Sequence, residues 1–251
     1  MYAGYKFNRS FTQRHRHLFI VIIIILTLAT AVSIAILFLR GFRFTDLSKQ
    51  LNQKTLTTPS MKVWLIEVDG FQDKMAAYKK GVVAANDNLG VYVISDNNQW
   101  NWIAGVYMTE EEARQVINQS NILKSANCKM YEIKSKNFQM HPETIEPCCN
   151  VFVTIKNIFD LLLQMRTYLF ESQSIENLLI DVTSKYNELK DATEKLHLLN
   201  EKYKNEIIAT LIYAANQNIL SLQDIIYDNN HCSLAAINTA LLNAIFSLDN
   251  F

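Results

Sequence analysis

The chain has 251 residues, with 24 Lys and Arg against 24 Asp and Glu, and 49% of it is hydrophobic. That is room for one or two modest domains with a sizeable core. Balanced charge gives no reason to expect a nucleic-acid partner, which usually needs a basic face.

The first element is an apolar run. Leu18 to Leu39 reads LFIVIIIILTLATAVSIAILFL, without a charge, and is long enough to cross a ~30 Å hydrocarbon core as a helix. A secretory leader has a shorter apolar region, ~7–15 residues, with small residues at the cleavage site just after it. Here Phe38 and Leu39 close the run and Arg40 follows. The expectation is an uncleaved transmembrane helix over 18–39, with 1–17 as a cytoplasmic tail. Lys6, Arg9, Arg14 and Arg16 precede the run, and Arg40, Arg43, Lys49 and Lys54 follow it. The positive-inside count is close to a tie. The RHRH cluster beside the membrane favours a single-pass protein of the cell membrane with the N-terminus inside and the bulk outside. Residues 40–60 lack an apolar period, end at Thr58-Pro59-Ser60, and read as a linker.

From 61 to 135 strand and helix signals alternate. VWLIEV, LGVYVIS, WNWIAGV and CKMYEIK read as strands; DKMAAYKKGVVAAN and TEEEARQVINQS read as helices. The order β-α-β-β-α-β predicts a split βαβ, ferredoxin-like unit. Its two halves repeat. WLIEVDGFQDKMAAY lies on WNWIAGVYMTEEEAR at an offset of 36 residues, matching Phe71 to Tyr107, Asp73 to Thr109 and Ala77 to Ala113. In each copy alternate strand residues share a face: Trp64, Ile66 and Val68, then Trp100, Trp102 and Ala104. These are expected to pack in the core. A glycine, Gly70 or Gly105, then lets the chain leave the sheet, an aromatic turns back into the core, and a capping residue starts the helix. Thr109-x-x-Glu112 is a capping box. Glu110 to Glu112 suit the positive helix end better than a catalytic role.

The doubled pattern, Ile66-Glu67-Val68-Asp69-Gly70-Phe71 through Ala77 and Ile103-Ala104-Gly105-Val106-Tyr107 through Arg114, resembles the SPOR (sporulation-related repeat) domain family. That resemblance implies a four-stranded antiparallel sheet with two helices on one face. It also implies an open face that binds peptidoglycan glycan strands lacking stem peptides, at division or sporulation septa. The positions it assigns to that face are Leu65, Glu67, Asn101 and Ile103, with Tyr92 and Tyr131 as aromatic candidates for sugar stacking.

Residues 136–150 read as a second linker, and 151–251 contain neither glycine nor proline. Such a stretch is almost wholly helical, with breaks expected at Ser172-Gln173-Ser174 and Asp228-Asn229-Asn230. Ile175, Leu179, Val182, Tyr186, Leu189, Thr193, Leu196, Asn200, Tyr203 and Ile207 alternate at spacings of four and three, a coiled-coil seam. The flanking apolar segments call for partners. The reading is a three- or four-helix bundle within the chain, with a dimeric coiled coil as the alternative. Lys156, Asp160 and Arg166 speak against membrane insertion of 151–170.

Cys128, Cys148, Cys149 and Cys232 read chiefly as buried thiols, though outside the membrane either of the adjacent pair could bond Cys128. No phosphate loop, H-E-x-x-H or C-x-x-C motif appears. His141 near Cys148 and Cys149 makes only a weak metal case, and His197 and His231 have no paired nucleophile. No catalytic residue, metal or cofactor is assigned. The whole is read as α+β: an N-terminal anchor, a SPOR-type domain, and an all-α bundle with room for a protein partner. The function expected first is a membrane-anchored envelope protein binding septal peptidoglycan. The second is an anchored scaffold that makes only protein contacts, and a third keeps the domains inside the cell.

Overall fold

The computed structural model describes residues 55–96, 98–227 and 232–249. The expected tail, anchor and first part of the linker lie outside these residues, as does the expected break at 228–230. The described residues fall in one compact α+β unit with six helices and two antiparallel sheets.

The four-stranded sheet has β2 (Met61–Phe71), β3 (Tyr92–Asp96), β4 (Gln99–Tyr107) and β5 (Asn127–Ile133) in the order β3-β4-β2-β5. Helices α1 (Lys74–Ala84) and α2 (Glu110–Gln119) join β2 to β3 and β4 to β5. They cover the face formed by Ile66, Val68, Trp102 and Ala104, with Ala77 and Ala113 fully buried beneath them. Small residues let both helices lie flush on the sheet. The caps are the expected ones: Asp73 Oδ1 accepts from Ala76 N at 2.8 Å, and Thr109 Oγ1 from Glu112 N at 3.2 Å.

The two motif glycines differ. Gly70 has φ +88° and lies where β2 bulges against β4, between the pairs Val68–Trp102 and Phe71–Trp100. Only glycine enters that backbone region at no steric cost. Gly105 has no positive φ. A side chain there would meet the Tyr107 ring, 2.9 Å from its Cε2. The second glycine therefore makes room for the aromatic, and the expected backbone role holds only for the first.

Both linkers are shorter than expected. β1 (Thr55–Thr57) pairs with β6 (Asn137–Gln139), with Leu56 opposite Phe138 and completely buried. The TLT of an apparently polar segment hides one core leucine that pins the entry of the chain. α3 (Pro142–Phe170) starts well before residue 151. Pro142 sits in its first turn, where the missing N–H costs nothing, and Pro147 is carried inside the helix.

Helices α4 (Glu176–Tyr203), α5 (Glu206–Tyr227) and α6 (Leu234–Asp249) complete a four-helix bundle in which α6 returns to pack on α3. The break near Ser172 is where the sequence put it, and Ser172 takes φ 55°. A further break interrupts the predicted seam: Lys204 takes φ 47°, and Asn205 Oδ1 caps the next helix by accepting from Ile207 N at 2.8 Å. Val182, Tyr186, Leu189, Thr193 and Leu196 are buried within the chain's own bundle, so the seam ends before Ile207. α3 is long and apolar enough to cross a membrane, but 61% of its most apolar stretch is buried inside the protein. That is the signature of a core helix.

Candidate functional site at the sheet face

The face of the sheet opposite α1 and α2 gathers all six residues expected there. Tyr92 pairs with Ile103, and Tyr131 with Val63. Residues paired across neighbouring strands share a face, so Leu65, Glu67, Asn101, Ile103, Tyr92 and Tyr131 lie together. The six share one face, as the resemblance implies. The implied openness is not found: Leu65 is 1% exposed, Ile103 0%, and Glu67 and Asn101 5% each.

The cover is α6. Phe246 stacks flat on Tyr92, 4.5 Å between ring centroids, and lies 5.4 Å from Tyr131. The Tyr131 hydroxyl bonds the Asp249 carboxylate. Burial, then this bond, raises the Tyr131 pKa above its ordinary value. Polar groups tie down the rest of the helix. Asn238 Nδ2 donates to Asn88 O at 2.9 Å, and Val91 N donates to Thr239 Oγ1 at 3.0 Å. Arg166, buried on α3, donates from Nη1 to Val106 O at 2.6 Å and to Asn238 Oδ1 at 3.2 Å. Its guanidinium also lies 4.5 Å from the Tyr107 ring. These partners satisfy a buried cation that would otherwise be very costly.

One end of the face stays polar and half open. Asn101 Nδ2 donates to Glu67 Oε1 at 2.7 Å. Lys129 Nζ lies 3.4 Å from Glu67 Oε2 and 3.7 Å from Asp96 Oδ2, and Lys129 and Asp96 are both exposed in part. Asn101 Oδ1 has no hydrogen-bond partner among the described residues. Swapping the amide would set an oxygen against the Glu67 carboxylate, so the amide keeps this orientation. That amide oxygen can accept from a hydroxyl or ammonium donor.

His141 caps α3, its Nδ1 accepting from Glu143 N at 3.4 Å, and its ring stacks on Tyr203. Cys148 and Cys149 are buried in α3, and no disulfide joins the four cysteines. Among the described residues no three His, Cys, Asp or Glu side chains are grouped to hold a metal. The open grooves between α3 and α4 and between α5 and α6 have polar linings, with Asp160, Asp181 and Lys185 in the first and Ser221, Asp224 and Asn243 in the second.

No protein family, curated protein or solved structure matches this chain.

Phe246, Asn238, Thr239 and Arg166 went unassigned in the sequence. The available signal was LAAINTALLNAIFSL, apolar on every side. A helix of that kind is covered all round, and one bundle seam cannot cover it. Its second partner had to be another layer.

Proposed function

We propose that the chain is a membrane-anchored adaptor, held by residues 18–39, whose sheet and helical bundle form one solid framework and which acts by protein contact through its outer surfaces. The observation that carries this reading is the occupation of the sheet face by α6. The apolar part of the face, Leu65 and Ile103, is used as core and is not offered to a ligand. The strand order β3-β4-β2-β5 is that of a split βαβ, ferredoxin-like unit, here serving as the frame. On α5, Tyr213, Leu220 and Tyr227 recur every seven residues and are 64%, 55% and 64% exposed. That is the spacing of a helix-docking stripe.

A second reading, septal peptidoglycan binding, is favoured by one observation. Asn101 Oδ1, beside Glu67 at the polar end of the face, has no donor among the described residues, and a sugar hydroxyl supplies one. One measurement separates the two. The full chain in detergent is sedimented with purified sacculi, before and after an amidase strips the stem peptides. The adaptor reading expects no retention in either case. Retention that rises on stripping, and is lost in Glu67→Ala and Asn101→Ala, transfers the function to the glycan.

A further inference from the structure

Helix α1 inverts the usual placement of small and large apolar side chains. Its inner face is made of Ala77, Gly81 and Ala84. A side chain at Gly81 would come within 2.9 Å of Trp102 Nε1, so the helix can sit this close only on small residues. The larger apolar side chains are therefore on the outside: Met75 is 59% exposed, Tyr78 50%, Val82 47% and Val83 63%. At 100° per residue, Met75, Lys79, Val82 and Val83 fall on the outward half of the helix. Lys79 is exposed among them, Lys74 and Lys80 are exposed on the two flanks of the helix, and the sequence KMAAYKKGVVA contains no acid. Asp73, just before it, is engaged in the cap.

We propose that this face of α1 docks on the anionic surface of the bilayer that holds the chain's own anchor. The proposal rests on the anchored reading above. An exposed apolar helix face with one lysine at its centre and others on its flanks has the chemistry of a membrane-surface contact: the apolar groups enter the headgroup region and the cations meet anionic lipid. The tether makes that surface the nearest available partner. Between Leu39 and strand β1 at Thr55 the chain spans at most about 50 Å when extended, so the tether holds the membrane surface at high effective concentration around the folded unit. A second copy of the chain fits the patch less well, because Lys79 at its centre would face another lysine across a two-fold contact.

The test uses the full chain reconstituted through its anchor into vesicles. One set is pure phosphatidylcholine; the other is equal parts phosphatidylcholine and phosphatidylglycerol. A polarity-sensitive fluorophore is placed on Val83→Cys, with a control on Leu198→Cys, an exposed site on α4; Cys128 and Cys232 are replaced by Ser in both. Docking gives a blue shift and brighter emission at the Val83 site in anionic vesicles, reversed by high salt, with no change at the Leu198 site. Lys79→Gln with Lys80→Gln weakens it roughly thirty-fold. A Val83 probe that is unchanged in anionic vesicles overturns the proposal. So does an equal change at both sites, which reports general adsorption. A change that follows chain density in pure phosphatidylcholine also overturns it, in favour of self-association. Release of the chain by alkaline carbonate overturns the anchored reading and the tethered docking with it. Retention with a silent probe overturns the docking alone.

Discussion

The ring of Phe246 lies flat against that of Tyr92, with 4.5 Å between centroids and 10° between planes. One belongs to the last helix and the other to an edge strand of the sheet. The stack marks the point where two regions that look separate in the sequence become one core.

Phe246→Ala removes a buried ring from that junction and should cost about 3–5 kcal/mol. Urea denaturation followed by tryptophan fluorescence reports the sheet, and far-UV circular dichroism reports chiefly the helices. Both midpoints should fall together, as a single cooperative unit requires. A shift confined to the helical signal would mean that the bundle folds apart from the sheet.

Gly90, just before β3, is wedged between α6 and β4. A Cβ there would lie 2.8 Å from Leu242 Cδ1, 3.1 Å from the Asn238 carbonyl carbon and 3.2 Å from Ala104 O. The leucine can turn aside, but the two backbone atoms cannot. Gly90→Ala should lower stability by about 1–3 kcal/mol, as overpacking does. Thermal melts would show this, and a variant as stable as the parent would mean that α6 is less firmly seated than the distances indicate.

Glu143 links the start of α3 to the end of α4. It accepts from Lys202 Nζ at 2.8 Å and from the Tyr203 hydroxyl at 2.5 Å. The Lys202 bond first, then the Tyr203 bond, lowers its carboxyl from 4.5 to about 2. The folded value lies below the unfolded one. The clamp's contribution is therefore complete above about pH 4.5 and is lost as pH falls from there through about 2. The group is exposed, so water and salt keep the effect small. Over that window the denaturation midpoint of the parent should drop more than that of Glu143→Gln, with the difference shrinking in high salt. Parallel pH profiles would show that the clamp is absent in solution.

Burial pushes the Cys148 thiol up to about 12 and the Cys149 thiol up to about 11. The thiolate is the reactive form, so Cys148 should resist iodoacetamide in the native protein at mildly alkaline pH. Cys128, only partly buried on β5, should be alkylated before it. Peptide mass spectrometry reads the order, and early modification of Cys148 would contradict the packing of α3.

The sequence by itself determined the local elements, because they depend on nearby residues. Period-two strands, the caps at Asp73 and Thr109, the small Ala77 and Ala113, and the long stretch without glycine or proline each carry their own signal. Strand parity also put Leu65 with Glu67 and Asn101 with Ile103, but only the register between strands brought Tyr92 and Tyr131 to the same face. The sequence could not determine what lies on the face. An apolar sheet surface reads the same whether it waits for a ligand or for a helix far along the chain. Only the tertiary structure decided that α6 fills it, through Phe246, Asn238 and the buried Arg166. It also decided that Leu56 leaves its linker for the core, that the seam stops at Lys204, and that α1 turns its large apolar residues outward. Each depends on contacts between residues far apart in the chain, and periodicity carries no record of those.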